Sequence, residues 1–369
     1  MKIPFVDLKA QYLGMKDQID HAIFSVVNET AFIGGKYVKE FENAFANLYG
    51  VDHCIAVGNG TDSLYILMKM LGIGKGDEVI TVANSWISSS ETISQTGARP
   101  VFVDIDEVFY SINEKLLTDA ITPSTKAIIL VHLQGQVCEL DVVKEICDRH
   151  GIFLIEDCAQ SHFSEYKGTR VGTIGIAGSF SFYPGKNLGA YGDAGCIVTN
   201  NKELADKCRM YANHGALKKH HHIVEGINSR MDGLQAAILS AKLPHILNWT
   251  EKRIANAAKY DEQLSEIDEI VLPKVRPGTK HTFHLYVIRA KRRDELMDFL
   301  KAAGVETFIH YPTALPNLPA YAYLGKQNGH FPVASGYQSQ ILSLPMYPEL
   351  TDEQITYIAQ KIKEFYSAS

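Results

Sequence analysis

Several features are missing from this sequence, and each absence excludes something. No apolar run approaches the roughly 20 residues of a bilayer-spanning helix. The first residues, Met1 to Asp7, lack the apolar stretch of a secretory leader, so a cytoplasmic location is expected. Positive charge is not in excess: 36 Lys and Arg face 42 Asp and Glu, for a net charge of -6. Nucleic acid is therefore not an expected partner. Cysteine is sparse and scattered, six residues at 54, 138, 147, 158, 196 and 208 with no CxxC pair. That excludes a disulfide frame and a clustered zinc site, and it predicts reduced, buried thiols. Internal repeats and low-complexity tracts are absent too. What remains is an ordinary apolar fraction spread over 369 residues, enough for one large domain and a smaller one.

Apolar spacing marks the elements. Ile19, Ile23, Phe24 and Val27 fall on one stripe of a helix over 16–28. Val38, Phe41, Phe45 and Leu48 fall on a second, stopped by Gly50. Short apolar strands are then predicted at 53–57, 78–82, 100–105, 127–132 and 152–157, with helices over 63–71, 87–97, 115–121 and 140–150 between them. Strands and helices in alternation call for an α/β fold with a mostly parallel sheet and helices on both faces. Two further strands, 177–183 and 194–199, read as a hairpin-like pair. Helices follow over 202–213 and 234–243. The His-rich loop between them has no Cys, Asp or Glu at ligand spacing, so it is read as a solvated or subunit-contact loop and no metal is expected. A long charged helix over 249–267 is expected to cross into a second unit. The reading is a large cofactor-binding domain over 1–245 and a small α+β domain over 246–369. The small domain is predicted to hold strands at 284–289, 307–310 and 342–345, helices over 292–303 and 352–365, and a Pro/Tyr/Gly-rich loop over 313–333.

The chemistry concentrates between Gly178 and Cys196. Lys186 and Asp193 are the only charged residues between Val171 and Asn200. Most lysines sit idle on solvated turns, because an ammonium prefers water. A desolvated lysine can instead attack a carbonyl and form a Schiff base. Other segments bear on that choice. Gly58-Asn-Gly-Thr61 follows a strand and opens a helix, which is how backbone N–H groups hold phosphate, though many such turns merely join two elements. Trp86 lies at the end of a strand, where α/β proteins place sites; a core tryptophan is the plain alternative. Ile152 to Ile155 run straight into Glu156 and Asp157, acids that either cap the next turn or pair with a protonated ring nitrogen. Taken in order, the set suits pyridoxal 5′-phosphate. Gly60, Thr61 and Ser181 meet its phosphate, Trp86 its ring, Asp157 its nitrogen and Lys186 its aldehyde.

These segments resemble the DegT/DnrJ/EryC1/StrS family of nucleotide-sugar aminotransferases. The resemblance is carried by Pro4-Phe-Val-Asp-Leu8, Gly58-Asn-Gly-Thr61, Gly76-Asp-Glu-Val-Ile80, Glu156-Asp-Cys-Ala-Gln160, Ser179-Phe-Ser-Phe-Tyr-Pro-Gly-Lys-Asn187, Gly192-Asp-Ala-Gly195, Asn228-Ser-Arg-Met-Asp232, His310-Tyr-Pro312 and Leu342-Ser-Leu-Pro345. It implies an aspartate-aminotransferase-like, fold-type I architecture. It implies that Lys186 binds the cofactor and moves the proton, Asp157 pairs with the ring nitrogen, Gln160 lies beside the ring hydroxyl and Trp86 stacks on the ring. Gly60, Thr61 and Ser181 would hold the phosphate. Asn228 would reach the phosphate of the neighbouring subunit's cofactor, which implies a homodimer with shared sites. Tyr183, Asn187, Arg230, His310 and Tyr311 are candidates on the substrate side. Family members with histidine at the lysine position are dehydratases, so Lys186 points to amino transfer. The implied reaction moves an amino group from glutamate to a nucleotide-diphosphate keto-sugar, through the pyridoxamine 5′-phosphate form, for cell-surface polysaccharide synthesis. The segment 213–230 resembles members acting at C3. Two alternatives are a pyridoxal-phosphate enzyme for a small free substrate and a non-catalytic pyridoxal-phosphate-binding regulator.

Overall fold

In the computed structural model, which describes residues 1–325 and 331–367, the alternating segments form one central sheet. Its strands are β1 (His53–Val57), β2 (Glu78–Val82), β3 (Arg99–Val103), β4 (Thr125–Val131), β5 (Phe153–Asp157), β6 (Ala177–Ser181) and β7 (Gly195–Thr199). They lie in the order β1-β7-β6-β5-β4-β2-β3. Every pairing from β6 to β3 is parallel. Strand β7 runs against both its neighbours, β1 and β6, so the expected hairpin-like pair exists as β6 and β7. The carboxyl ends of β1, β2, β4, β5 and β6 therefore share one edge, where open α/β sheets gather ligands.

Among the described residues, the helices that precede, interleave with or follow these strands close the first core: α1 (Leu8–Gly14), α2 (Lys16–Asn28), α3 (Gly35–Tyr49), α4 (Gly60–Met70), α5 (Ser88–Thr96), α6 (Leu117–Ala120), α7 (Leu140–His150), α8 (Lys202–Ala212) and α9 (Gly233–Lys242). Helix α4 starts three residues before the predicted boundary. The Asn59 side chain accepts from the Asp62 N–H at 2.7 Å, so the glycine turn is itself the first turn of the helix. All six cysteines are free and buried. Among the described residues no helix is long and apolar enough to cross a membrane.

Helix α10 (Ile246–Leu264) leads to a second, antiparallel sheet of β8 (Ile270–Val271), β9 (Tyr286–Ala290) and β10 (Ile341–Leu344). Helices α11 (Arg293–Ala302) and α13 (Asp352–Ser367) complete this part, whereas α12 (Pro332–Tyr337) docks on the first core, where Ala334 is buried and its N–H donates to Asp104 Oδ1 at 2.9 Å. The predicted strand at 307–310 does not form. Phe308 makes a single bridge to Ser343, and Pro312 withholds a donor just beyond. The expected loop over 313–333 is partly ordered as 3₁₀ turns, Leu315–Asn317 and Pro319–Leu324, and residues 326–330 lie outside the described residues. These turns are anchored on the first core, where Leu315 and Tyr321 are buried and the Tyr321 hydroxyl meets Ser90 Oγ at 2.6 Å. Ile3, conversely, belongs to the second core. The two cores thus exchange segments across residue 245 instead of following one cut.

Candidate active site

The site is built outward from the end of β5. Successive strand residues point to opposite faces, so Glu156 and Asp157 enter different surroundings. Glu156 is fully buried and saturated. Its Oε2 meets His132 Nε2 at 3.1 Å and accepts from Gly172 N at 2.7 Å; its Oε1 accepts from Ile174 N at 2.8 Å and Gly175 N at 2.7 Å. Burial resists ionisation, but the His132 ring and these N–H groups outweigh it and hold the carboxyl below its ordinary pKa. His132, Glu156 and Cys158 stand close enough together to suggest a metal site. All lone-pair directions of Glu156 are taken, however, and burial pushes the Cys158 thiol well up, so the cluster reads as a hydrogen-bonded core network.

Asp157 is nearly as buried, yet among the described residues its carboxylate accepts only from Ala159 N, at 3.1 Å. Burial raises its pKa, opposed by that N–H and by the charges of Lys186 and His132. A buried carboxylate with so few donors has capacity left for a cationic N–H.

Lys186 sits in the turn between β6 and β7. Its backbone N–H donates to Tyr183 O at 2.8 Å, and Ala190 N donates to Phe182 O at 2.7 Å, which folds the turn back on itself. The residue is half-buried. Loss of water lowers its pKa to about 8, with Asp157 pulling the other way. The amine is therefore available as a neutral nucleophile near neutral pH. Three histidines feel the Lys186 charge. Burial and that charge bring His162 to about 3 and His310 to about 4, and they lower His284 as well. These imidazoles are thus held neutral and do not compete with the amine for Asp157.

The start of α4 supplies a cradle. The first N–H groups of a helix have no partners within it, and those of Gly60 and Thr61 precede the one that Asn59 takes. A Cβ added at Gly60 would lie 2.7 Å from Ser181 Cβ, so only glycine lets β6 approach this closely. Thr61 Oγ1 pairs with Ser88 Oγ at 2.7 Å. Ser229, which no local sequence pattern singles out, braces the turn from behind. It accepts from Gly58 N at 3.0 Å and donates to Asp62 Oδ2 at 2.6 Å.

The remaining candidates divide by exposure. Trp86 is 59 % exposed, tilted against Tyr311 with ring centroids 5.7 Å apart. Tyr183, Asn228 and Arg230 are also exposed. Asn228 and Arg230 flank buried Ser229 and are both exposed, the alternation of an extended segment. Gln160 is occupied at both ends, accepting from Gln134 N at 2.7 Å and donating to the Tyr311 hydroxyl at 3.0 Å. His310 meets Ser343 Oγ at 2.9 Å. Asn187, expected on the substrate side, is enclosed instead. Its Nδ2 donates to Thr282 O at 3.3 Å and its Oδ1 meets His284 Nδ1 at 3.1 Å, so it ties the lysine turn to the segment before β9.

The profile of the DegT/DnrJ/EryC1/StrS aminotransferase family matches residues 14–363. The chain belongs to that family. It is 46 % identical over 368 residues to a "Pleiotropic regulatory protein" of Geobacillus stearothermophilus, covering 99 % of each chain. It is 42 % identical to the UDP-2-acetamido-2-deoxy-3-oxo-D-glucuronate aminotransferase of Pseudomonas aeruginosa, covering 96 % of this chain and 98 % of that one. A crystal structure of S. venezuelae DesV in complex with a ketimine intermediate superposes with a TM-score of 0.96 at 40 % identity, covering 99 % of this chain and 98 % of that chain. The architecture is accordingly that of fold-type I aminotransferases. Pyridoxal 5′-phosphate, on which the family depends, fits the residues present. The under-bonded Asp157 suits a protonated ring nitrogen, and the Gly60 cradle suits a phosphate.

Proposed function

We propose that this aminotransferase moves an amino group from glutamate to a nucleotide-linked keto-sugar, with the keto group at C3. The observation that carries the reading is the pairing of Asp157, a buried carboxylate with one donor, with Lys186, a lysine brought to about 8 by burial. Bound pyridoxal phosphate supplies an electrophilic carbon and an electron sink. The chain supplies the rest. Asp157 would keep the ring nitrogen protonated, and Gly60, Thr61 and Ser181 would hold the phosphate. Trp86 would cover one ring face. Lys186 would bind the cofactor and, as a free amine, would take and return the proton at its Nζ. Tyr183, His310 and Tyr311 border the open side, where a nucleotide sugar would lie. The Pseudomonas relative is named for a substrate with its oxo group at C3, and this supports the same position here.

We place Asn228 and Arg230 toward a second copy of the chain. Support comes from their exposure and from the exposed apolar side chains of Phe24, Val27, Phe32 and Ile33, which a homodimer would cover. The regulator named among the relatives favours a second reading, in which cofactor binding occurs without turnover. One experiment decides between them: a panel of nucleotide-linked 3-keto and 4-keto sugars assayed with glutamate. The proposal expects amination of a 3-keto member. Amination of 4-keto members alone contradicts the C3 assignment, and no turnover with any member supports the regulator.

A further inference from the structure

Helix α9 carries two side chains that grip the turn bearing Lys186. Lys242 is 0 % exposed. Its Nζ donates to Gly189 O at 2.7 Å and stands 4.2 Å from the centroid of the Tyr191 ring. Gln235 lies seven residues earlier, two helical turns away on the same face. Its Oε1 accepts from Tyr191 N at 2.8 Å. Two polar hooks from one rigid helix thus fix a carbonyl and an N–H just beyond the lysine.

The physical cost of this arrangement is what makes it informative. Among the described residues no carboxylate is paired with Lys242, and burial lowers its pKa to about 8, with only the charge of Glu349 opposing. An unpaired buried ammonium opposes folding, and a methionine of similar length would fill the same space without that penalty. The contact with Gly189 is therefore its evident use. The turn also needs holding. Gly185, Gly189 and Gly192 leave its backbone loosely specified, and at Gly189 it doubles back so tightly that a Cβ would meet Pro184 O at 2.2 Å. In the reaction proposed above, the Lys186 side chain leaves and returns once per cycle. It returns to attacking distance only if its backbone has not moved.

Resting on that reading, we propose that Lys242, assisted by Gln235, is a positioning residue that pins the 186–191 turn and so aims the Lys186 amine at the reacting carbon. The test compares wild type with Lys242→Met and Gln235→Ala, each as full-length holoenzyme. Two readouts are used: the pH midpoint of the lysine-bound cofactor's absorption band, and the single-turnover rate with saturating glutamate. Lys242→Met should keep cofactor on Lys186, slow the single turnover by about 10- to 100-fold, and move the midpoint by about one pH unit. Gln235→Ala should act in the same direction, by roughly three- to tenfold on the rate. A lowered melting temperature with wild-type rate and midpoint in both variants would overturn the proposal, because a packing role alone moves neither. If Lys242→Met does not fold, Gln235→Ala decides, and wild-type rate and midpoint in it overturn the proposal equally. Failure of the underlying cofactor reading is separately visible, as a wild-type protein without the absorption band.

Discussion

Glu156 and Asp157 are adjacent in sequence, on one strand and both buried, yet their environments drive them apart. Glu156 faces the turn over 172–175 and is met by four donors, which hold its pKa down. Asp157 faces the lysine and has one, and burial holds its pKa up. The difference teaches how to tell a structural acid from one that awaits a ligand. A filled carboxylate has nothing left to offer. An under-filled one is a cost to the empty protein and an attraction for a cation.

The sharpest ways to test this contrast start at the lysine. Lys186→Ala should abolish turnover without lowering the melting temperature of the apoprotein at pH 7, because a lysine whose pKa burial lowers costs stability there. Asp157→Asn should lower turnover by about a hundredfold or more by removing the charge that keeps the ring nitrogen protonated. The same substitution should stabilise the apoprotein at pH 7, because a carboxyl whose folded pKa is raised stabilises most below its unfolded pKa and loses that contribution as pH rises. Glu156→Ala should do the reverse. It strands the His132 ring and three N–H groups and should destabilise by about 3–5 kcal/mol in denaturant melts. If the two substitutions shift apoprotein stability with the same sign, the contrast between the acids fails.

The pH dependence of the empty protein extends the comparison to the lysines. Lys186 and Lys242 are both lowered to about 8, below their unfolded value of 10.5. Between these values the unfolded chain binds more protons, so their contribution to stability should grow as pH rises from about 8, and Lys242→Met should flatten that rise. On the acid side, the stability that Glu156 contributes is present above its unfolded value of 4.5 and is lost as pH falls below it. The smallest effect is expected at Trp86. Trp86→Leu should weaken cofactor binding by about 0.5–1.5 kcal/mol in equilibrium titration, the worth of a ring stack.

Much of this is legible in the amino-acid order alone. Lys186 stands out because charge is nearly absent around it, and the strand–helix alternation predicts the sheet, with the apolar runs at 127–131 and 152–155 marking its buried middle. Both acids are visible as well, but which one is free is not. That distinction rests on donors from distant chain segments. His132 lies 24 residues from Glu156, and the brace of Ser229 on Gly58 spans 171 residues. Lys242 reaches back 53 residues to Gly189 and leaves no local pattern. The segment 307–310 misleads for the converse reason. Its β-branched and aromatic residues, Thr307, Phe308 and Ile309, suit a strand, but the segment makes only one bridge, to Ser343.

The central claim is that one amine, at position 186, carries the cofactor opposite an ionised Asp157. The direct measurement is borohydride reduction of the purified holoenzyme, followed by proteolysis and mass spectrometry. The account predicts a pyridoxyl adduct on the peptide containing Lys186 and on no other lysine, and its loss after prior incubation with glutamate. An adduct at another lysine, or none in a protein that has bound the cofactor, would contradict it.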